Sequence, residues 1–166
     1  GEDGASYHAL ELHDRTSDGL SMDSRAAITC MATEMGAKTA MFVPDAVTTQ
    51  YLHQRDGHRP VWSADLPAEG CSEARYADSF EVDARQLDSL IACPHSPANV
   101  TAVRNVQDTK LHQVYIGSCA SGRIEDLAIA AAILRGKTVA KGLKVIAVPS
   151  SVNVMQEAMQ LGYIQT

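Results

Sequence analysis

The sequence predicts an α/β fold of parallel βαβ units with helices packed on the sheet. Three observations carry this expectation. The last third alternates strand, helix, strand and helix with short joints, and such order pairs strands in parallel through right-handed crossovers. Residues 24–36 set apolar side chains at helical spacing and lead directly into a short apolar run, 39–43. The composition is that of a globular chain: 45% hydrophobic and 20% charged over 166 residues, which argues against disorder.

Taken in order, SRAAITCMATEMG (24–36) places Ile28, Met31, Ala32 and Met35 at i, i+3, i+4 and i+7. Ser21 or Asp23 can cap the start of this helix, and Gly36 can close it. TAMFV (39–43) reads as a buried strand stopped by Pro44, after which Asp45 can cap a second helix reaching about Arg55. From Asp56 to Ala77 no period is sustained, and this stretch reads as a linker or domain boundary. FEVDA (80–84) and SLIAC (89–93) are predicted strands, and PHSPAN (94–99) is a loop fixed by two prolines. HQVYIGSC (112–119) is a strand ending in small residues. RIEDLAIAAAILRG (123–136) is a helix with Ile124, Leu127, Ala128, Ala131 and Leu134 on one side. A strand at 142–151 and a helix at 152–162 complete the chain.

Charge and cysteine usage narrow the functions. Fourteen Lys and Arg against twenty Asp and Glu give a net charge of −6, and no basic cluster appears, so nucleic acid is not an expected partner. No run approaches the roughly 20 apolar residues of a membrane helix, in keeping with a mean hydropathy of −0.12. Cys30, Cys71, Cys93 and Cys119 form no CxxC pair, and free thiols in a reducing cytoplasm are expected. The chain starts at Gly1 and stops at Thr166 directly after a helical pattern, and both ends read as cut.

Chemistry concentrates at two strand ends. Ligands of parallel sheets collect beyond the carboxyl ends of the strands. Here the strands end in Ser118-Cys119-Ala120-Ser121 and Pro149-Ser150-Ser151, each opening a helix whose N-terminus favours anions. The same field favours thiolate at Cys119, as nucleophile or metal ligand. A purely structural reading stands beside this one: Cys119 as a small buried residue and the serines as helix caps. Arg123 beside the first turn could grip a carboxylate, or simply belong to first-turn surface charge with Glu125 and Asp126. Glu34 opposes the dipole at the end of the first helix, and Cys30 lies four residues before it. His95, between two prolines, is a ligand or base candidate, or an exposed loop histidine. No serine-protease order, Walker loop or dinucleotide fingerprint is present.

IGSCASGRIEDL (116–127) resembles the IGSC segment of the aconitase-type hydro-lyases, continuing as GRIEDL in the 3-isopropylmalate dehydratase branch, with the homoaconitase branch as near. MDSRAAITCMATEMGAKTAMFVPD (22–45), PHSPANVTAV (94–103) and KVIAVPSSVNVMQEAMQLGYI (144–164) are similar to further segments of that family. The resemblance implies that residues 1–64 form the C-terminal part of one aconitase-like α/β domain, and residues 65–166 the start of the next. It implies that Cys119 corresponds to the first of three cysteines holding a 4Fe–4S cluster, a Lewis acid for substrate, and that Glu34 corresponds to an active-site glutamate. Ser118 and Ser121 fall in the turn beside the cluster, and Arg123 is adjacent as a substrate-binding candidate. The implied reaction removes and restores water on a hydroxy-di- or tricarboxylate, as in leucine biosynthesis.

The sequence also departs from the pattern. Ser121 and Cys30 stand where the family has asparagines, and the later Cys-x-x-Cys pair, the N-terminal His and Asp residues and the swivelling domain are absent from these 166 residues. The expectation is therefore a family fragment that retains no cluster and is not catalytic alone. Its partners would be a small hydroxy-carboxylate or other anion, a small swivelling subunit or the missing large-subunit segments, or a second copy. The alternative is a stand-alone carboxylate-binding or assembly module derived from the same family.

Overall fold

A computed structural model describes residues 3–56, 75–118 and 120–165. It begins with a parallel pair: β1 (Ala9–Leu12) lies against β2 (Thr39–Phe42) in the register Ala9↔Thr39 to Leu12↔Phe42. Helix α1 (Met22–Met31) joins them, with Ser21 as its N-cap, accepting from the Ser24 N–H at 3.1 Å. The expected helix over 24–36 is thus two pieces, because the chain tightens into a 3₁₀ turn at Ala32–Met35 before Gly36 closes it in the left-handed region. Helix α2 (Ala46–Asp56) comes next, its first turn capped by Asp45, whose carboxylate accepts from the Thr48 N–H at 3.0 Å.

Most of the expected linker, residues 57–74, lies outside the described residues. The strand predicted over 80–84 does not form. Phe80 is 86% exposed, and Asp83 turns its carboxylate onto the Arg85 N–H at 3.1 Å, starting a 3₁₀ turn over Ala84–Gln86. A short acidic side chain that bonds its own backbone competes with a ladder, and here it wins. The strand predicted over 89–93 does form, as β3 (Leu90–Ala92), and pairs antiparallel with β4 (Val100–Ala102) across the proline loop.

The closing βαβα unit has the expected order. β5 (Gln113–Gly117) pairs in parallel with β6 (Lys144–Val148), from Gln113↔Lys144 to Gly117↔Val148. Helix α3 (Ile124–Leu134) connects them and α4 (Val152–Gln160) packs beside α3. Leu127 and Ala131 are buried on α3, so the predicted face is the one that packs.

The face predicted for α1 is only partly used. Ala32 is buried, while Ile28, Met31 and Met35 are exposed, and the residue α1 buries most deeply is Arg25, at 2% exposure. Among the described residues the strands form three two-stranded sheets, and parallel pairs are ordinarily covered on both faces. Of the same described residues, Phe80, Val152, Ile129 and Leu87 are 86%, 69%, 62% and 62% exposed. Much apolar surface is left uncovered.

Candidate functional site

The carboxyl ends of β5 and β6 are stitched together by backbone. The Ser118 N–H donates to the Val148 carbonyl at 3.4 Å, and the Ser150 N–H donates to the Gly122 carbonyl at 2.9 Å. Two glycines permit this approach. Gly117 has φ +124°, and any Cβ there would overlap the Val148 carbonyl; Gly122 has φ +78°, and its Cβ would stand 2.5 Å from the same oxygen. The two turns singled out in the sequence therefore lie side by side, each feeding a helix.

Ser118 is exposed and takes φ +93°, a left-handed conformation rare for a side chain of its kind. Ser121 closes the turn by donating its hydroxyl to the Gly117 carbonyl at 2.8 Å. Arg123 is the N-cap residue of α3, where its N–H is taken by the Asp126 carboxylate at 3.0 Å. The Ser151 hydroxyl caps α4, accepting from the Val154 N–H at 3.2 Å. Cys119 lies outside the described residues.

A side-chain hydrogen bond links the first βα unit to this turn. The Ser21 hydroxyl, at the start of α1, donates to the Glu125 carboxylate in the first turn of α3 at 2.6 Å. A cleft of ≈ 290 Å³ opens beside that contact, lined by Asp23, Tyr51, Arg55, Arg123, Ser150 and Ser151 among others. The Arg123 Nε is buried there without a hydrogen-bond partner among the described residues, and Arg55 lies over the Tyr51 ring at 4.5 Å.

Ser118, Ser121 and Arg123 thus share one turn. Glu34 is exposed in the 3₁₀ turn at the far end of α1, roughly 20 Å along the helix axis from Ser21. Cys30 lies in the last turn of α1, and Glu34 follows it in the 3₁₀ turn. His95 is exposed in the loop between β3 and β4. Tyr51 and Arg55 were not legible as lining residues, because α2 meets the cleft only through the tertiary arrangement.

A buried ionic cluster supports the first unit. Arg25 donates from Nη2 to the Asp14 carboxylate at 3.0 Å, and from both terminal nitrogens to Asp45. Burial pushes the Asp14 carboxyl upward, but hydrogen bonds from Leu20, Thr16 and Arg25 outweigh it and hold it at about 2. The Arg25 guanidinium, bonded directly to Asp45, is the main cause holding that carboxyl well below the usual range.

Comparison with known proteins decides the lineage. The model of the aconitase family (aconitate hydratase) matches residues 1–110 and 101–166. The chain belongs to the aconitase family. It is 38% identical over 164 residues to the 3-isopropylmalate dehydratase large subunit of Pyrobaculum aerophilum, covering 99% of this chain and 38% of that protein. It is 41% identical over 158 residues to the one of Sulfurisphaera tokodaii, with 95% and 36% covered. The one of Oleidesulfovibrio alaskensis is 40% identical over 166 residues, with 100% and 38% covered. This aconitase-family chain spans less than two fifths of the length of the relatives it matches.

Aconitase-family proteins usually carry a 4Fe–4S cluster, which takes several thiolates converging on one point. Among the described residues no group of three His, Cys, Asp or Glu side chains could hold a metal. Cys30 and Cys93 are free thiols, and Cys71 and Cys119 lie outside the described residues. The described donors do not fit a cluster by themselves. No helix among the described residues is long and apolar enough to cross a membrane.

Proposed function

We propose that this chain is a segment of a hydro-lyase resembling the 3-isopropylmalate dehydratase large subunit, a dehydratase/isomerase of hydroxy-di- or tricarboxylates. In this form it neither holds a cluster nor turns over substrate. The observation that carries the reading is the pairing of two coverages: 99% of the chain against 38% of the Pyrobaculum aerophilum protein, at 38% identity.

In this reading residues 1–64 belong to one family domain and 65–166 to the next. Cys119 supplies one cluster thiolate of the several needed. Ser118 and Ser121 shape the turn that presents it, and Arg123 offers a guanidinium to a substrate carboxylate. Glu34 brings the acid–base carboxylate once the remaining segments and a small swivelling subunit close the site. The working place is the cytoplasm and the pathway leucine biosynthesis. The chemistry the cluster supplies when bound is Lewis-acid activation of the substrate hydroxyl.

A second reading has its own support. The cleft beside the Ser21–Glu125 contact is lined by Arg55 and Arg123 together with Asp23 and Glu157, and the Arg123 Nε is buried without a partner among the described residues, a donor that a small carboxylate could take in a stand-alone binding module. Anaerobic reconstitution with iron and sulfide analysis and a dehydratase assay separates the readings from an active enzyme. Carboxylate binding without iron would favour the second.

A further inference from the structure

We propose that the cleft beside the Ser21–Glu125 contact is a site for a free α-amino acid with an apolar side chain, bound as its zwitterion. This rests on the second reading above, in which the cleft takes a small carboxylate, and adds a partner for a second, cationic head group. Four helices meet at the cleft, and each brings one charged side chain. Asp23 comes from the first turn of α1 and Arg55 from the last turn of α2. Arg123 is the N-cap residue of α3, and Glu157 belongs to α4.

The wall charges balance, two of each sign, yet they do not neutralise one another. Among the described residues none of the four belongs to an ion pair. The Arg123 Nε is buried without a hydrogen-bond partner among the described residues, and a buried donor left unpaired is unfavourable. Arg55 and Glu157 are exposed, whereas Asp23 and Arg123 are half-buried, so the inner charges are one of each sign. Arg55 is also engaged with the Tyr51 ring at 4.5 Å, which leaves Arg123 as the freer cation.

A simple anion in this cleft meets two carboxylates, and a simple cation meets two guanidiniums. A molecule that carries both charges on one carbon satisfies each inner partner, with its carboxylate on Arg123 and its ammonium on Asp23. The carboxylate also gains from the starts of α3 and α4, whose free N–H groups favour negative charge. The remaining wall includes Tyr51, Ile124 and Val154, which suits an apolar side chain. At ≈ 290 Å³ the cleft stands at the small end of ligand pockets, about 300–1,000 Å³, the size for one amino acid.

Isothermal titration calorimetry of the whole chain with L-valine, isovalerate and isobutylamine tests this. The second probe is valine without its ammonium, and the third is valine without its carboxylate. L-Valine should bind at least about tenfold more tightly than either, the gain expected from one more charge-assisted hydrogen bond. Asp23→Asn should bring valine down to the isovalerate level. Arg123→Gln should weaken valine and isovalerate alike, and both variants should keep the helical circular dichroism signal. Isovalerate binding as tightly as valine would overturn the proposal and leave the carboxylate reading standing. Binding of none of the three would overturn both. Valine binding that is unchanged in a folded Asp23→Asn protein would overturn the proposal as well.

Discussion

Arg25 grips Asp45 with both ends of its guanidinium, Nη1 to Oδ1 at 2.8 Å and Nη2 to Oδ2 at 2.6 Å. The same Nη2 reaches Asp14, so one cation from α1 ties the segment after β1 to the cap of α2. Its guanidinium also lies 5.4 Å from the Phe42 ring centroid at the end of β2. Planar, bidentate geometry is what arginine offers and lysine does not. With so few buried hydrophobic residues among those described, this cluster organises much of the first unit.

Removing the cation should be costly. Arg25→Met leaves the Asp14 carboxylate buried without its charge partner, and breaking a buried pair in this way costs about 3–5 kcal/mol. Thermal unfolding of the variant should show a large loss of Tm, and Arg25→Lys should recover only part of it. An unchanged Tm would mean that the cluster is not holding the unit together.

The same cluster sets an acid limit. Asp14 is held at about 2, below its ordinary 3.8, so the folded state favours its ionised form. That contribution, about 2 kcal/mol by linkage, is complete above the ordinary value and disappears as pH falls through the folded one. Asp45, lowered by Arg25, adds in the same direction. Urea unfolding should show stability falling across that acid range, with a shallower fall in Asp14→Asn.

The strand-end turn depends on a residue without a side chain. Gly122→Ala places a Cβ 2.5 Å from the Val148 carbonyl and 2.8 Å from the Gly117 Cα at φ +78°. Gly142→Ala meets nothing within 4 Å at φ +86°. Both carry backbone strain of about 1 kcal/mol or more, but only the first must also push β5 and β6 apart. Comparing their urea midpoints isolates the clash, and Gly122→Ala should be clearly the weaker protein.

What was legible in the sequence was local. The alternation over 112–162 points to β5, α3, β6 and α4, because short joints leave parallel pairing as the simplest solution and the Leu127–Ala131 face is strongly periodic. Around Asp83 the alternation misleads, since a pattern of alternating side chains does not show that one of them will bond its own backbone. β1 and β4, four and three residues long, carry too little pattern to declare themselves. The turn of Ser118, Ser121 and Arg123 was visible as a motif, but the cleft beside it draws Tyr51 and Arg55 from α2 and emerges only once the chain is folded. Arg25 looks like one helical charge among many; its burial depends on two aspartates, 11 residues before it and 20 after.

We propose that this aconitase-family chain does not hold the family's cluster alone. Iron and acid-labile sulfide measured after anaerobic reconstitution, beside a Cys119→Ala control, test it most directly. The account predicts substoichiometric iron in both proteins and no dehydratase turnover. Near-stoichiometric iron that disappears in Cys119→Ala would contradict it, because Cys30, Cys71, Cys93 or a second chain would then be completing the ligand set.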